Sequence, residues 1–105
     1  MNTMPSLQPT DVRMSIDLNQ GEIRHREGPR HKLSRLESKL LTCLMGSVGR
    51  PVSRGELLTG VWQLDPLRTV TRTVDMHISM LRKKLGDEQE YIETVRGVGY
   101  RFREA

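Results

Sequence analysis

Two short patterns constrain this chain more than any other feature. Ser34 stands three residues before Glu37, and Ser53 three before Glu56, each pair heading apolar residues at helical spacing. In such a capping box the serine hydroxyl accepts from the N3 amide, and the N3 carboxylate accepts from the cap amide. Two orphan donors are satisfied at once, which pins a helix start. The first box opens a helix carrying Leu36, Leu40, Leu41, Leu44 and Val48. Gly46 and Gly49 weaken its end, and Pro51 cannot continue it. The second opens a helix with Leu57, Leu58, Val61 and Trp62, and Asp65-Pro66 interrupts the pattern, so residues 63–69 read as a loop. Helices joined by so short a Gly/Pro break are expected to pack as neighbours.

A third helix is predicted from Thr71 to Leu85, closed by Gly86 as a C-terminal cap. At about 100° per residue, Val74, Ile78, Leu81 and Leu85 share one narrow stripe. Almost opposite lie Arg72, Met76, Ser79, Met80 and Lys83. Before the helices, Met14, Ile16 and Leu18 alternate within Arg13–Leu18, the period of a half-buried strand. Asn19-Gln20-Gly21 signals a turn, Glu22–Arg26 a returning strand around Ile23, and Arg30–Leu33 a third beyond Gly28-Pro29. After Gly86, Tyr91–Val95 reads as a strand, Arg96-Gly97-Val98-Gly99 as a tight turn and Tyr100–Phe102 as its partner. The expected class is α+β: an N-terminal antiparallel sheet, three helices and a C-terminal hairpin. Residues 1–11, polar with Pro5 and Pro9, read as a linker or disordered N-terminus, and residues 12–105 as one domain.

The net charge is +4, and its distribution is informative. Arg68, Arg72, Arg82, Lys83 and Lys84 face only Asp75 within residues 68–86, so that segment holds the whole excess. Positive charge gathered on one element is the footprint of a nucleic-acid binder, although a solvated basic helix face would look the same. Other classes fit poorly. The apolar runs fall far short of the about 20 residues of a membrane helix, and Met1–Thr10 lacks the apolar stretch of a signal peptide. The single cysteine, Cys43, excludes an internal disulfide and sits among leucines, where a buried inert thiol is favoured over a nucleophile. His25, His31 and His77 are scattered, so no metal site or cofactor is expected. No nucleophile, base and orienting group assemble, so an enzyme is not expected. Gly97-Val98-Gly99 opens no helix and is a hairpin turn, not a phosphate loop.

The motifs have a counterpart. Arg72-Thr73-Val74-Asp75-Met76-His77-Ile78, followed by Leu81-Arg82-Lys83-Lys84-Leu85, resembles the third helix of the OmpR/PhoB-type winged helix-turn-helix effector domain of bacterial two-component response regulators. Thr94-Val95-Arg96-Gly97-Val98-Gly99-Tyr100-Arg101-Phe102 resembles that family's wing hairpin. Ser53-Arg54 with Leu57-Leu58 and Val61-Trp62 resembles its second helix. The likeness spans Arg13 to Arg103, with the three motifs in family order.

The resemblance implies a four-stranded N-terminal sheet, a third helix in the DNA major groove and a wing in the minor groove. The DNA-binding residues would be Arg72, Thr73, Met76, His77, Ser79, Met80, Arg82 and Lys83 on the helix, with Thr94, Arg96 and Tyr100 on the wing. Thr94 and Tyr100 would offer hydroxyls beside Arg96, and His77 would meet phosphate or remain a plain solvent residue. Gln63, Leu64, Asp65, Leu67 and Arg68 would form the loop that touches RNA polymerase. A receiver domain usually precedes this module; in a related branch a membrane segment takes its place. The chain therefore reads as the cytoplasmic output domain of a longer transcriptional regulator, pairing head to tail on double-stranded DNA. The competing reading is a winged-helix protein-interaction module that binds no DNA.

Two departures stand out. Family members often carry arginines where this chain has Ser79 and Met80, and arginine is the usual reader of guanine. Met76 and Met80 would instead favour thymine methyls, or pack against a neighbouring subunit. In the first helix, Ser38 and Cys43 replace larger apolar residues, with Leu36 expected to fill part of the space.

Overall fold

The computed structural model describes residues 14–65, 72–86 and 91–103. Met14–Asp17 (β1), Glu22–His25 (β2) and Arg30–Lys32 (β3) form an antiparallel sheet in the order β1-β2-β3. Ile16 and Ile23 face each other across it, fully buried, as the alternation requires. The β1–β2 turn closes where Gly21 takes φ +67° and Asp17 caps the Gln20 amide through Oδ1 at 3.0 Å.

Both capping boxes form. Ser34 Oγ accepts from the Glu37 amide at 3.1 Å while Glu37 Oε1 accepts from the Ser34 amide at 2.8 Å. The Ser53–Glu56 pair repeats this at 3.0 and 2.9 Å. The first box starts α1, Arg35–Met45, which buries Leu40, Leu41 and Leu44. Leu36 and Cys43 pack against the same core half-buried. Burial pushes the Cys43 thiol up, with Glu56 adding to the effect, so it stays protonated at neutral pH. The helix ends before Val48, which is 44% exposed and no core residue. Gly46 and Ser47 turn the chain by donating to Thr42 and Leu44, and Gly49 at φ +81° completes the reversal.

The second box starts α2, Arg54–Leu57, which continues as a wider π-helical turn over Leu58–Trp62. Leu57, Leu58 and Val61 are buried, and Trp62 packs half-buried against the core. The turn ends at Gln63, whose φ of 59° lies in the left-handed region. The third helix, α3, is Arg72–Leu85, ending at Gly86 with φ +100°. Ile92–Val95 (β5) and Gly99–Phe102 (β6) form the hairpin.

One strand had no period to reveal it. Val52–Ser53 (β4) pairs with β6, setting Val52 opposite Tyr100 and Ser53 opposite Gly99, so the second sheet runs β4-β6-β5. The wing is thus anchored between the first and second helices by backbone hydrogen bonds. One core joins the sheets and helices: Ile16, Ile23, Leu40, Leu44, Leu58, Ile78, Leu81, Ile92 and Phe102 are all 3% exposed or less. Burying each such side chain contributes about 1.5–3 kcal/mol.

A part-buried ion pair flanks this core. Glu37, 3% exposed, accepts from Lys84 Nζ of α3 at 2.7 Å, and the same ammonium donates to the Lys32 carbonyl of β3 at 2.9 Å. His25 of β2 donates through Nε2 to the Lys84 carbonyl at 2.8 Å. Lys84 therefore ties the first sheet, α1 and α3 together. Burial alone would raise the Glu37 pKa; the Lys84 ammonium and the Ser34 amide outweigh it and hold the carboxyl below its ordinary value.

Candidate nucleic-acid interface

Helix α3 is two-faced. Val74, Ile78 and Leu81 are fully buried and Leu85 is 2% exposed. Arg72, Met76, Ser79, Met80 and Lys83 face outward, all exposed. This is the division the 3.6-residue period requires, with the core side set by aliphatic burial and the opposite side left to solvent. Among the described residues, Arg72 and Lys83 make no ion pair. Their charge is therefore available to a ligand.

The flanks of α3 are occupied differently. His77 is half-buried, its ring edge-on to Trp62 at 5.2 Å, and Nδ1 lies 2.9 Å from the Thr73 carbonyl. A carbonyl only accepts, so Nδ1 carries the proton and Nε2 holds the lone pair in the neutral ring. A phosphate contact through Nε2 then requires the doubly protonated imidazole. Thr73, also half-buried, contributes that carbonyl at the start of the helix.

Arg82 does not extend outward as the basic stripe of α3 suggested. Its Nε and Nη2 donate to the Ile92 carbonyl at 3.1 and 2.8 Å, and Nη2 donates to Thr94 Oγ1 at 2.8 Å. The guanidinium is a clasp between α3 and β5, and the exposed Thr94 hydroxyl already serves it. Tyr100 departs further from expectation. It is 4% exposed, and its hydroxyl donates to Asp75 Oδ1. The expected free hydroxyl beside Arg96 is inside, because Tyr100 lies opposite Val52 in the centre of the second sheet.

Asp75 receives a second donor, Arg54 Nε of α2, at 2.8 Å. The Arg54 and Arg82 guanidinium carbons lie 4.9 and 5.5 Å from the Tyr100 ring centroid, within cation–π range. α2, α3 and the wing therefore meet at one aromatic ring. Burial would raise the Asp75 pKa; the Tyr100 hydroxyl and the Arg54 guanidinium reverse this and hold it low. Tyr100 is pushed up by burial and then by the adjacent carboxylate. Sequence reasoning counted Asp75 only as a lone acid and missed this cluster. The nearest signal was Arg54 beside the capping serine, but no local period links positions so far apart.

Tyr100→Phe tests the cluster. Removing one donor to a partly exposed carboxylate should lower stability by about 1 kcal/mol, less than a buried hydrogen bond to a charged group because solvent screens Asp75. Because Asp75 is held low, its stabilisation exists above the ordinary carboxylate range and fades as pH falls through the folded value. Urea denaturation should show the variant and parent converging in acid. A deficit independent of pH would place the effect elsewhere.

At the wing tip Arg96 is exposed and, among the described residues, makes no ion pair. Val98 donates to the Val95 carbonyl at 2.9 Å, with Gly97 at φ +78° closing the turn. Directly opposite on the strands, Arg101 Nε donates to Glu93 at 2.9 Å. Between α3 and the wing lies an open groove of about 580 Å³, lined by Ser79, Arg82, Lys83, Glu93, Thr94 and Arg101 among others. Ser79 and Lys83 of the outward α3 face and the strands of the wing thus border one concavity.

Of the expected loop residues, Gln63, Leu64 and Asp65 are exposed, with Leu64 donating to the Leu58 carbonyl at 3.0 Å. Leu67, Arg68 and the expected helix start at Thr71 lie outside the described residues, and among the described residues the N-terminal sheet has three strands where the resemblance implied four. Among the described residues no cluster of His, Cys, Asp and Glu could hold a metal ion, and no helix is long and apolar enough to cross a membrane.

Comparison with known proteins places the chain in context. Residues 28–102 match the family described as "Transcriptional regulatory protein, C terminal". The chain is similar to the probable transcriptional regulator ycf27 of Cyanophora paradoxa, 39% identical over 94 residues, which cover 86% of this chain and 39% of that protein. It thus spans about two fifths of the length of the curated relatives it matches. Among solved structures it resembles the DNA-binding domain of CpxR from E. coli, with TM-score 0.73 and 31% identity over 97% of this chain and 99% of that one. It also resembles the Klebsiella pneumoniae RstA DNA-binding domain solved in complex with the RstA box, with TM-score 0.71 and 31% identity over 87% of this chain and 91% of that one.

Proposed function

Because this chain belongs to the family of transcriptional regulatory protein C-terminal domains, we infer that it binds double-stranded DNA sequence-specifically, as the output domain of a bacterial transcriptional response regulator of the OmpR/PhoB type. The observation that carries this reading is the outward face of α3. A helix with a buried aliphatic stripe and an uncovered face bearing Arg72 and Lys83 matches the major groove, whose width admits a helix. Arg72 and Thr73 stand at the helix N-terminus, where unpaired amides and the dipole favour a phosphate. Arg96 at the wing tip suits a narrow, negative minor groove.

In this reading Arg72, Met76, Ser79, Met80 and Lys83 face the bases and backbone, with Thr73 and His77 on the phosphate flank. Arg82 and Tyr100 hold the wing at its distance from α3. Thr94 meets the backbone only by sharing its hydroxyl with Arg82. Residues 12–105 form the binding unit and residues 1–11 a linker to a receiver domain in a longer cytoplasmic parent. The exposed loop at Gln63, Leu64 and Asp65, continuing to Leu67 and Arg68, faces RNA polymerase, and copies pair head to tail on DNA. The unit performs no catalysis of its own.

Binding to random duplex DNA across salt concentrations tests the reading. Several phosphate contacts must give a steep decline, with a log–log slope of about −0.9 per contact. A flat response would assign the fold to protein interaction instead. Arg96→Ala should weaken binding about tenfold, as loss of a charge-assisted contact does, and reduce the slope by about one contact. Equal affinity of variant and parent would remove the wing from the interface.

A further inference from the structure

The centre of the α3 face has an unusual chemistry for a base-reading surface. Between Arg72 and Lys83 its outward residues are Met76, Ser79 and Met80. No guanidinium, ammonium or amide stands there to bond guanine or adenine edges, which bidentate side chains read best. Met76 and Met80 are 54% and 52% exposed, whereas Met14 and Met45 are 3% and 4% exposed. The core takes methionine readily, yet the helix period places these two thioethers on the outer face. One helical turn apart, they are neighbours and form a continuous apolar strip. Leaving such a strip wet forgoes the gain of burial, and the unbranched, polarisable chain adapts to an uneven surface.

The charges say which surface. Cations that make no ion pair among the described residues stand at both ends of the strip, Arg72 before it and Lys83 after it. A second copy meeting this face with its own α3 face would bring like charges together, whereas a duplex presents phosphates at the groove edges and apolar groups on its floor. The apolar group that distinguishes bases in the major groove is the C5-methyl of thymine.

We propose that Met76 and Met80 are specificity-determining residues that read thymine methyl groups, making the operator A·T-rich where it faces the centre of α3. This rests on the DNA-binding reading above. Ser79, with a short hydroxyl that bonds any base edge, leaves the choice to the methionines. Phosphate contacts at the helix ends supply affinity without sequence information.

The experiment selects binding sites for the chain from a random duplex pool, then replaces each thymine of the selected site singly by deoxyuridine, which removes only the methyl. At the positions facing Met76 and Met80, affinity should fall about three- to fivefold per methyl, the scale of one buried methyl group. In Met76→Ala and Met80→Ala, each checked for folding by circular dichroism, thymine and uracil should bind alike at the corresponding position. Central guanines in the selected site, or uracil equal to thymine in the parent, would overturn the inference while steep salt dependence still upheld DNA binding. Discrimination that survives both alanine variants would overturn it too, as would concentration-dependent self-association lost on either substitution. If no site is selected and binding is insensitive to salt, the DNA-binding reading fails first and this inference with it.

Discussion

Gly99→Ala should destabilise the domain by about 3 kcal/mol or more, and so lower the melting temperature by at least about 10 °C. A Cβ on Gly99 would stand 2.9 Å from Ser53 Cα and 3.0 Å from the Val52 carbonyl carbon, with the Val52 oxygen closer still. Nothing there is a side chain that could swing aside. The obstructing atoms are backbone of β4, held to β6 through Val52 opposite Tyr100 and Ser53 opposite Gly99. Relief requires parting the strands, and that exposes Val52 and releases the wing from the helices. Gly97→Ala is the control. Its φ is +78°, but nothing lies within 4 Å of the added carbon. It should cost only the about 1–2 kcal/mol of a left-handed alanine. Thermal or urea denaturation of the two variants separates steric exclusion from backbone preference. Equal losses would mean that close strand approach is not what excludes a side chain at Gly99.

Lys84→Met should destabilise by about 2–3 kcal/mol at neutral pH, because it strands the Glu37 carboxylate in the core. The figure is below that of a fully buried pair for two reasons: the Lys84 side chain is 29% exposed, and Glu37 retains the Ser34 amide. The pH dependence identifies the cause. In the parent, Glu37 is held below its ordinary value, so its contribution is complete above the carboxylate range and is lost as pH falls through the folded value. Without the ammonium, the largest influence holding the carboxyl low is gone and Glu37 binds its proton more readily than in the parent. The deficit of Lys84→Met should therefore shrink as the medium is made acid. Adding Glu37→Gln to Lys84→Met should recover part of the loss at neutral pH, since the stranded charge is gone. A deficit that is constant with pH and unrelieved by Glu37→Gln would show that Lys84 acts through its stem or its bond to Lys32 instead.

Local chemistry made much of this legible. Both capping boxes stand where Ser34 and Ser53 indicated, since the interaction spans three residues and needs no tertiary support. Val74, Ile78, Leu81 and Leu85 lie buried and Arg72, Met76, Ser79, Met80 and Lys83 lie outside, because a 14-residue helix has period enough to declare its faces. Gly21, Gly86 and Gly97 take positive φ at the three breaks that glycine announced. Val48 was misplaced because its spacing matched a helix that Gly46 ends two residues earlier. β4 escaped notice because two residues carry no alternation.

The candidate site divides along the same line. Exposure of the α3 face follows from sequence, as does an arginine at the hairpin tip. That Arg82 bonds to the wing and that Tyr100 is buried does not: a basic residue on a basic helix and a hydroxyl on a wing look ligand-facing until their partners are known. Those partners, Ile92, Thr94, Asp75 and Arg54, sit on other elements, up to 46 residues away. Periodicity and caps are properties of a few consecutive residues, so composition and order settled which segments are helices, which are strands and which helix face is wet. Which polar side chains hold the wing to α3 depends on distances between segments, and only the packed chain decided that.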